Sequence, residues 1–181
     1  MEQFFGTLKK KDNKEVYTLI GEFVMEASKA EHALDNFLVC AGNKYPDELE
    51  DTKYSKTLPM NAKDKLTLAE VFFKEVTELH NFGHDFLDVI RGSIENYFIF
   101  LNSLYNFRNR IVHGSVYLIY ISTVDESYIC TSKYTKNKSS KNELILRSEK
   151  INLSRITEAL EEFRKMKLFF RETKQLLASE E

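Results

Sequence analysis

Four long stretches of the sequence repeat apolar residues at intervals of three and four, and this repeat constrains the fold more than any other feature. They cover residues 16–40, 61–79, 86–113 and 152–177. Such spacing places apolar side chains along one face of an α-helix. The chain of 181 residues holds six glycines and two prolines, so few positions interrupt long elements. The sequence therefore predicts four long amphipathic helices.

Start and stop signals accompany these stretches. Asn61 is a good N-cap for the second helix, with Asp64 three positions further on. Asn152 can cap the last helix in the same way. Gly42 is expected to end the first helix and Gly114 the third, because glycine commonly follows the last helical residue.

The residue composition of the sequence changes between the third and fourth predicted helices. Three short segments there are rich in β-branched and aromatic residues, and they read VYLIYIS, SYICTSKY and ELILR. Turn-forming residues separate them, which predicts an antiparallel β-meander at about 116–148. The predicted fold class is mainly α: an up-and-down bundle of about four long helices with a small antiparallel β insertion before the last helix. The length suits a single domain over residues 1–181.

Composition narrows the classes of protein to consider. With 26 basic and 28 acidic residues, the net charge of −2 provides no overall positive field, so any nucleic-acid binding needs a local patch. No apolar run approaches the roughly 18 residues that span a bilayer, and the N-terminus does not resemble a signal peptide. We expect a cytoplasmic protein without a membrane partner. Cys40 and Cys130 belong to no metal-binding spacing and are expected to be free thiols.

The end of the third predicted helix carries an unusual polar cluster. It reads YNFRNRIVHGS over residues 105–115. Asn102, Asn106, Asn109 and His113 are spaced four, three and four apart, so they form a polar stripe on the helix.

Arg108 falls on the continuation of the apolar stripe of the same helix, so its side chain needs an acceptor or a path to water. Two interpretations stay open. Cations in a last helical turn complement the helix dipole, with Gly114 as an ordinary C-terminal cap. Alternatively, the acceptor is a ligand phosphate, which a guanidinium binds in a forked geometry.

The spacing of Arg108, Asn109 and His113 at the end of a long helix resembles the signature of the HEPN superfamily (higher eukaryotes and prokaryotes nucleotide-binding). That signature is an Arg and a His separated by four to six residues, often with Asn directly after the Arg. The resemblance extends to the order of elements over about 15–178. Many members are metal-independent endoribonucleases that act as dimers. The resemblance implies that Arg108 and His113 are the catalytic pair and that Asn109 assists them.

The chemistry of RNA cleavage agrees with these residue types. Attack by the 2′-hydroxyl needs a base, an acid and positive charge on the phosphorane oxygens, which His and Arg supply. One His is poorly suited to both proton transfers, so two copies in a homodimer would divide them. Further candidate substrate contacts are polar or cationic residues on the same helix and in the loop KYTKNKSSK: Arg110, Asn106, Asn102, Lys136 and Lys138. For the lysines, a solvated hairpin tip is the alternative interpretation, and for Arg110 it is a solvated surface cation.

The sequence thus predicts an RNA-cleaving enzyme (a hydrolase) of toxin–antitoxin or phage-defence type, with RNA as substrate, a homodimeric state and an antitoxin or other regulatory protein as partner. No cofactor and no metal are predicted, since His80 and His84 lack a third ligand at useful spacing. The alternative is a non-catalytic HEPN-like helical module that binds a nucleotide, RNA or a protein partner.

Overall fold

The computed structural model describes residues 10–47, 61–79, 93–113, 115–121, 127–136 and 144–179. The elements in chain order are helices α1 (Lys10–Lys44), α2 (Ala62–Leu79) and α3 (Ile94–His113), strands β1 (Ser115–Ile121), β2 (Ser127–Lys136) and β3 (Leu144–Asn152), and helix α4 (Leu153–Ala178). The predicted fold class is confirmed: the described chain is mainly α, with four long helices and a small antiparallel sheet before the last of them. No helix among the described residues is both long and apolar enough to cross a membrane.

The sheet has three strands in the order β1-β2-β3, and both pairings are antiparallel. The β2–β3 ladder runs without interruption from the pair of Tyr128 and Asn152 to the opposite end. The β1–β2 ladder has an irregularity between Val116 and Leu118. Measured from the start of β1 to the end of β3, the sheet region exceeds the predicted range of 116–148 by a few residues.

The described residues fall into two compact units. The first takes residues 10–26 and 107–162, and the second takes residues 27–106 and 163–179. Helices α1, α3 and α4 contribute residues to both units. The single domain over residues 1–181 stays a prediction.

Aromatic rings from all four helices form the core of the second unit. The ring centroid of Phe73 on α2 lies 5.0 Å from that of Phe169 on α4 and 6.2 Å from that of Phe98 on α3. Phe37 on α1 and Phe170 on α4 are 5.4 Å apart. All five side chains are buried. Aromatic pairs in such tilted arrangements add about 0.5–1.5 kcal/mol each beyond the burial of their area.

The start of α2 confirms the predicted cap. The Oδ1 atom of Asn61 accepts a hydrogen bond from the backbone N–H of Asp64 at 2.9 Å. In return, the side-chain amide of Asn61 donates to Oδ2 of Asp64 at 2.8 Å. This reciprocal pair satisfies one of the backbone donors that a helix start leaves without a partner.

The described start of α3 is Ile94, where the hydroxyl of Ser93 accepts a hydrogen bond from the N–H of Asn96 at 3.1 Å. Residues 86–92 of the predicted third segment lie outside the described residues. Apolar spacing alone does not reveal this local cap. Helix α4 begins directly after Asn152, which therefore occupies the predicted N-cap position.

The expectation that Gly42 ends the first helix is wrong. Helix α1 continues to Lys44, and the N–H of Tyr45 still donates to the carbonyl of Ala41 at 2.8 Å. The Nζ of Lys44 donates to the carbonyl of Leu177 in the last turn of α4 at 2.9 Å. A glycine inside a helix costs about 1 kcal/mol relative to alanine, and tertiary contacts of this kind offset that cost.

Candidate functional site

The last two turns of α3 carry the candidate site and belong to the first unit. Phe107 anchors them, since its side chain is buried and its ring meets that of Phe23 on α1 edge-on at 5.8 Å. The guanidinium of Arg155, in the first turn of α4, lies 5.0 Å from the centre of the same ring. The residues that follow Phe107 therefore project from a fixed part of the helix.

Arg108 is only partly exposed, and its hydrogen bonds are incomplete. Its Nη1 donates to Oδ1 of Asn109 at 2.9 Å. Its Nε is buried and has no hydrogen-bond partner among the described residues. A buried donor left without an acceptor costs about 1–3 kcal/mol, and more when the group is charged. The Nη2 of Arg108 makes no hydrogen bond with the described residues, so the guanidinium is held in place with donor capacity that an anion could use.

The angular order of the side chains explains what this hydrogen bond does. Each residue advances about 100° around the helix axis, so Asn109 lies about 100° from Arg108 and His113 about 140° from it. Asn109 is therefore between the other two. By accepting from Arg108, it draws the guanidinium around the helix towards the face that carries His113.

His113 is exposed in the last turn of α3 and makes no hydrogen bond or ion pair with the described residues. Its imidazole is therefore accessible for proton transfer to or from a ligand. Asn109 was expected to lie close enough to orient this imidazole or to bind substrate. In the structure its amide oxygen accepts a hydrogen bond from Arg108.

Arg110, predicted as a substrate contact, is paired with a carboxylate that the sequence does not single out. Its Nη1 lies 2.7 Å from Oε1 and 2.5 Å from Oε2 of Glu149 on β3. Both side chains are about two-fifths exposed, at 42% and 40%. An exposed pair of this kind contributes about 0–1 kcal/mol. A substrate phosphate would have to compete with Glu149 for this guanidinium.

No signal in the sequence points to Glu149 or to Arg155 as neighbours of the motif. Glu149 is 39 positions from Arg110 along the chain, and their contact depends on how β3 lies against α3. Arg155 meets Phe107 only because α4 follows β3 directly. Both contacts are products of tertiary structure.

Two of the remaining predicted contacts lie on the same helix as the motif. Asn102 and Asn106 lie on α3 within the second unit, the first partly exposed and the second exposed. Lys136 is the last residue of β2. Lys138 lies outside the described residues, as do the histidines considered as metal ligands. Among the residues that are described, no group of three His, Cys, Asp or Glu side chains could hold a metal ion.

Comparison of this chain with known protein families, with curated proteins and with solved structures finds no match. Its function must therefore be argued from the residues and geometry of α3.

Proposed function

We propose that this protein is a metal-independent endoribonuclease whose active site is completed by two copies of the chain, each contributing Arg108, Asn109 and His113. One observation carries the proposal. Arg108 is partly exposed and held by Asn109 towards the face of an exposed histidine, yet its Nη2 makes no hydrogen bond with the described residues. A phosphate oxygen would accept from that nitrogen and complement the guanidinium charge.

The reaction that fits these groups is attack of a ribose 2′-oxygen on the adjacent phosphorus. A neutral imidazole, His113 of one copy, takes the proton from the 2′-hydroxyl as the new O–P bond forms. The imidazolium of His113 in the other copy gives a proton to the 5′-oxygen as its bond to phosphorus breaks. The products are a 2′,3′-cyclic phosphate and a 5′-hydroxyl, so atoms and protons balance without water or a metal.

Arg108 would act on the charge of the transition state. The phosphorane gains negative charge on its oxygens, and a fixed guanidinium stabilises that charge without first having to reorganise. The hydrogen bond from Arg108 to Asn109 supplies the fixed orientation. In this proposal Asn109 is a positioning residue.

The resemblance of the motif to the HEPN signature supports the same activity and favours a toxin or phage-defence role. A nuclease of that kind needs restraint in its own cell. We therefore include an antitoxin or other regulatory protein as partner in the proposal.

The direct test is cleavage of mixed-sequence RNA in the presence of EDTA. Wild type should cut the RNA and leave 2′,3′-cyclic phosphate ends. Arg108→Ala and His113→Ala should each lose at least about 10²-fold in rate, the usual scale for general acid–base and charge-stabilising groups. Lys165→Ala, which removes an exposed cation of α4, is the matched control and should retain the wild-type rate.

Two results would overturn the proposal. One is the failure of wild type to cut any RNA, and the other is cleavage by both motif variants at the wild-type rate. RNA binding without cleavage would favour the non-catalytic HEPN-like module instead.

A further inference from the structure

The second unit contains a cleft between α1 and α4 that is unrelated to the motif residues. Its volume is about 610 Å³. The lining residues that bear on its chemistry are His32, Ala33 and Asn36 from α1 and Arg171, Lys174 and Gln175 from α4. The volume falls within the roughly 300–1,000 Å³ of typical ligand sites.

The polar groups of this cleft favour an anion. Among the described residues that line it, none is acidic. Arg171 and Lys174 are exposed and form no ion pair within the described part of the chain. The nearby carboxylates of Glu31 and Asp35 are engaged by Lys65 on α2, at 3.1 and 2.7 Å. Among the residues that the structure describes, the two cations of the cleft therefore have no acidic partner.

The cations continue along α4. In the part of α4 that belongs to the second unit, Arg164, Lys167, Arg171 and Lys174 follow one another at intervals of three, four and three. At about 100° per residue, this spacing keeps them within a stripe about 80° wide. Glu172 is the one acidic residue in this part of the helix, and it lies about 100° from Arg171. A chain of phosphates could follow such a stripe.

The cleft also offers groups suited to a nucleobase. Ala33 is buried and contributes an apolar surface. The imidazole of His32 and the guanidinium of Arg171 are planar groups of the kind on which unpaired RNA bases stack. Asn36 and Gln175 also line the cleft, and each carries a carboxamide with a donor and an acceptor.

We propose that this cleft binds one unpaired nucleotide of an RNA strand, with its phosphates at Arg171 and Lys174 and its base between His32 and the carboxamides of Asn36 and Gln175. The choice of RNA as ligand rests on the proposed function. The cleft itself is a binding site rather than a place of cleavage, and it would hold substrate through contacts that are largely independent of sequence.

Fluorescence anisotropy with fluorescein-labelled single-stranded RNA tests whether the cleft binds RNA. An RNA of about 12 nucleotides is used, a length comparable to that of known single-strand binding sites. The full chain carrying His113→Ala is used so that no cleavage occurs. Adding Arg171→Ala with Lys174→Ala should weaken binding at least about tenfold. The slope of log K against log salt should fall by about 1.4, or about 0.7 for each phosphate that the variant no longer neutralises.

The matched control is Lys63→Ala with Lys165→Ala, which removes the same charge from exposed positions outside the cleft. It should change affinity less than about threefold, as expected for screened distant charges. His32→Ala should weaken binding about tenfold because a stacking surface is removed, and it should leave the salt slope unchanged. Since these side chains are exposed, the free energy of unfolding of each variant should lie within about 0.5 kcal/mol of that of the parent protein.

Competition experiments distinguish a single RNA strand from other ligands that carry phosphate. AMP and inorganic phosphate should compete only weakly, and an RNA duplex of equal length should bind less tightly than the single strand. Equal weakening by the cleft and control variants, or a preference for duplex, would refute the proposal. If the wild-type chain cuts no RNA but the cleft variant loses RNA binding, the binding site in the cleft is supported and the nuclease proposal is refuted. If cleavage depends on the motif but the cleft variant binds RNA normally, the nuclease proposal is supported and the binding site in the cleft is refuted.

Discussion

Arg108 lies where the apolar stripe of α3 would otherwise continue, one turn after the buried Leu104. A leucine there would pack without the cost of a partly buried guanidinium, so the arginine is a poor choice for stability alone. Its contact with Asn109 satisfies one donor and leaves Nε unpaired. A charged residue at a position suited to an apolar one is the strongest indication, from any single residue, of a functional role.

Asn109→Ala should slow RNA cleavage by about tenfold or more, because a hydrogen bond to a charged group contributes roughly 1.5–3 kcal/mol. The variant removes the acceptor that holds Arg108, so the loss should appear in kcat rather than in KM. Single-turnover cleavage at saturating protein measures it directly.

Asn96→Ala is the matched control, since Asn96 is an exposed asparagine in the first turn of the same helix. It should cleave at the wild-type rate. An Asn109→Ala protein as active as this control would show that the orientation of Arg108 by Asn109 has no part in catalysis.

At the scale of elements, Lys65 links α1 and α2 within the second unit. Its relative exposure is 9%, and its Nζ contacts carboxylate oxygens of Glu31 at 3.1 Å and Asp35 at 2.7 Å. These two acidic side chains are one helical turn apart and would repel each other without the cation between them. The ion pair therefore fixes how these two helices meet.

Lys65→Met should lower the free energy of unfolding by about 1–2 kcal/mol, because it leaves two carboxylates without their cation. The loss should be smaller than for a fully buried pair, since Glu31 and Asp35 keep some contact with water. Chemical denaturation of both proteins measures the difference. Lys63→Ala, at an exposed position near the start of the same helix, should change stability by less than about 0.5 kcal/mol, and an equal loss in both variants would contradict the account.

The same ion pair predicts a dependence on alkaline pH. Burial lowers the pKa of Lys65, but its hydrogen bonds to Asp35 and Glu31 and the charges of these carboxylates outweigh that effect, so the pKa is raised above 10.5. A raised lysine pKa contributes stability that is fully present below 10.5 and is lost as the pH rises through the folded value.

The stability difference between wild type and Lys65→Met should therefore be constant through neutral pH and shrink above about pH 10.5. Denaturation series at several alkaline pH values measure this difference. A difference that grows on the alkaline side, or one that declines already near neutrality, would be inconsistent with the raised pKa.

Periodicity in the sequence was sufficient to predict four helices and their order, because an amphipathic repeat depends on local geometry alone. Asn61 was also predictable, since its cap involves only residues three apart. The end of α1 was not predictable in this way. Gly42 was expected to end the helix, but the helix continues to Lys44, whose side chain contacts α4. Ser93 is a local signal, but it is a polar cap and therefore invisible to apolar spacing.

In the molecule as a whole, the motif residues could be predicted from the sequence, but the residues that contact them could not. Arg108, Asn109 and His113 were identified from spacing and resemblance within a single helix. Glu149 and Arg155 were not, since each meets α3 only after the sheet and α4 are in place. The cleft between α1 and α4 likewise joins side chains that are more than 130 positions apart in the chain. Long-range neighbours of this kind have no signature in one sequence.

The central claim is that two copies of the chain share one active site, and subunit mixing tests it most directly. Wild type and His113→Ala, carrying different tags, are refolded together with the variant in roughly ninefold excess, so that most wild-type chains pair with a variant. If each site needs groups from both copies, RNA cleavage per wild-type chain should fall about tenfold. Cleavage per wild-type chain that stays constant at every mixing ratio, or a protein that remains monomeric while it cuts RNA, would contradict the account.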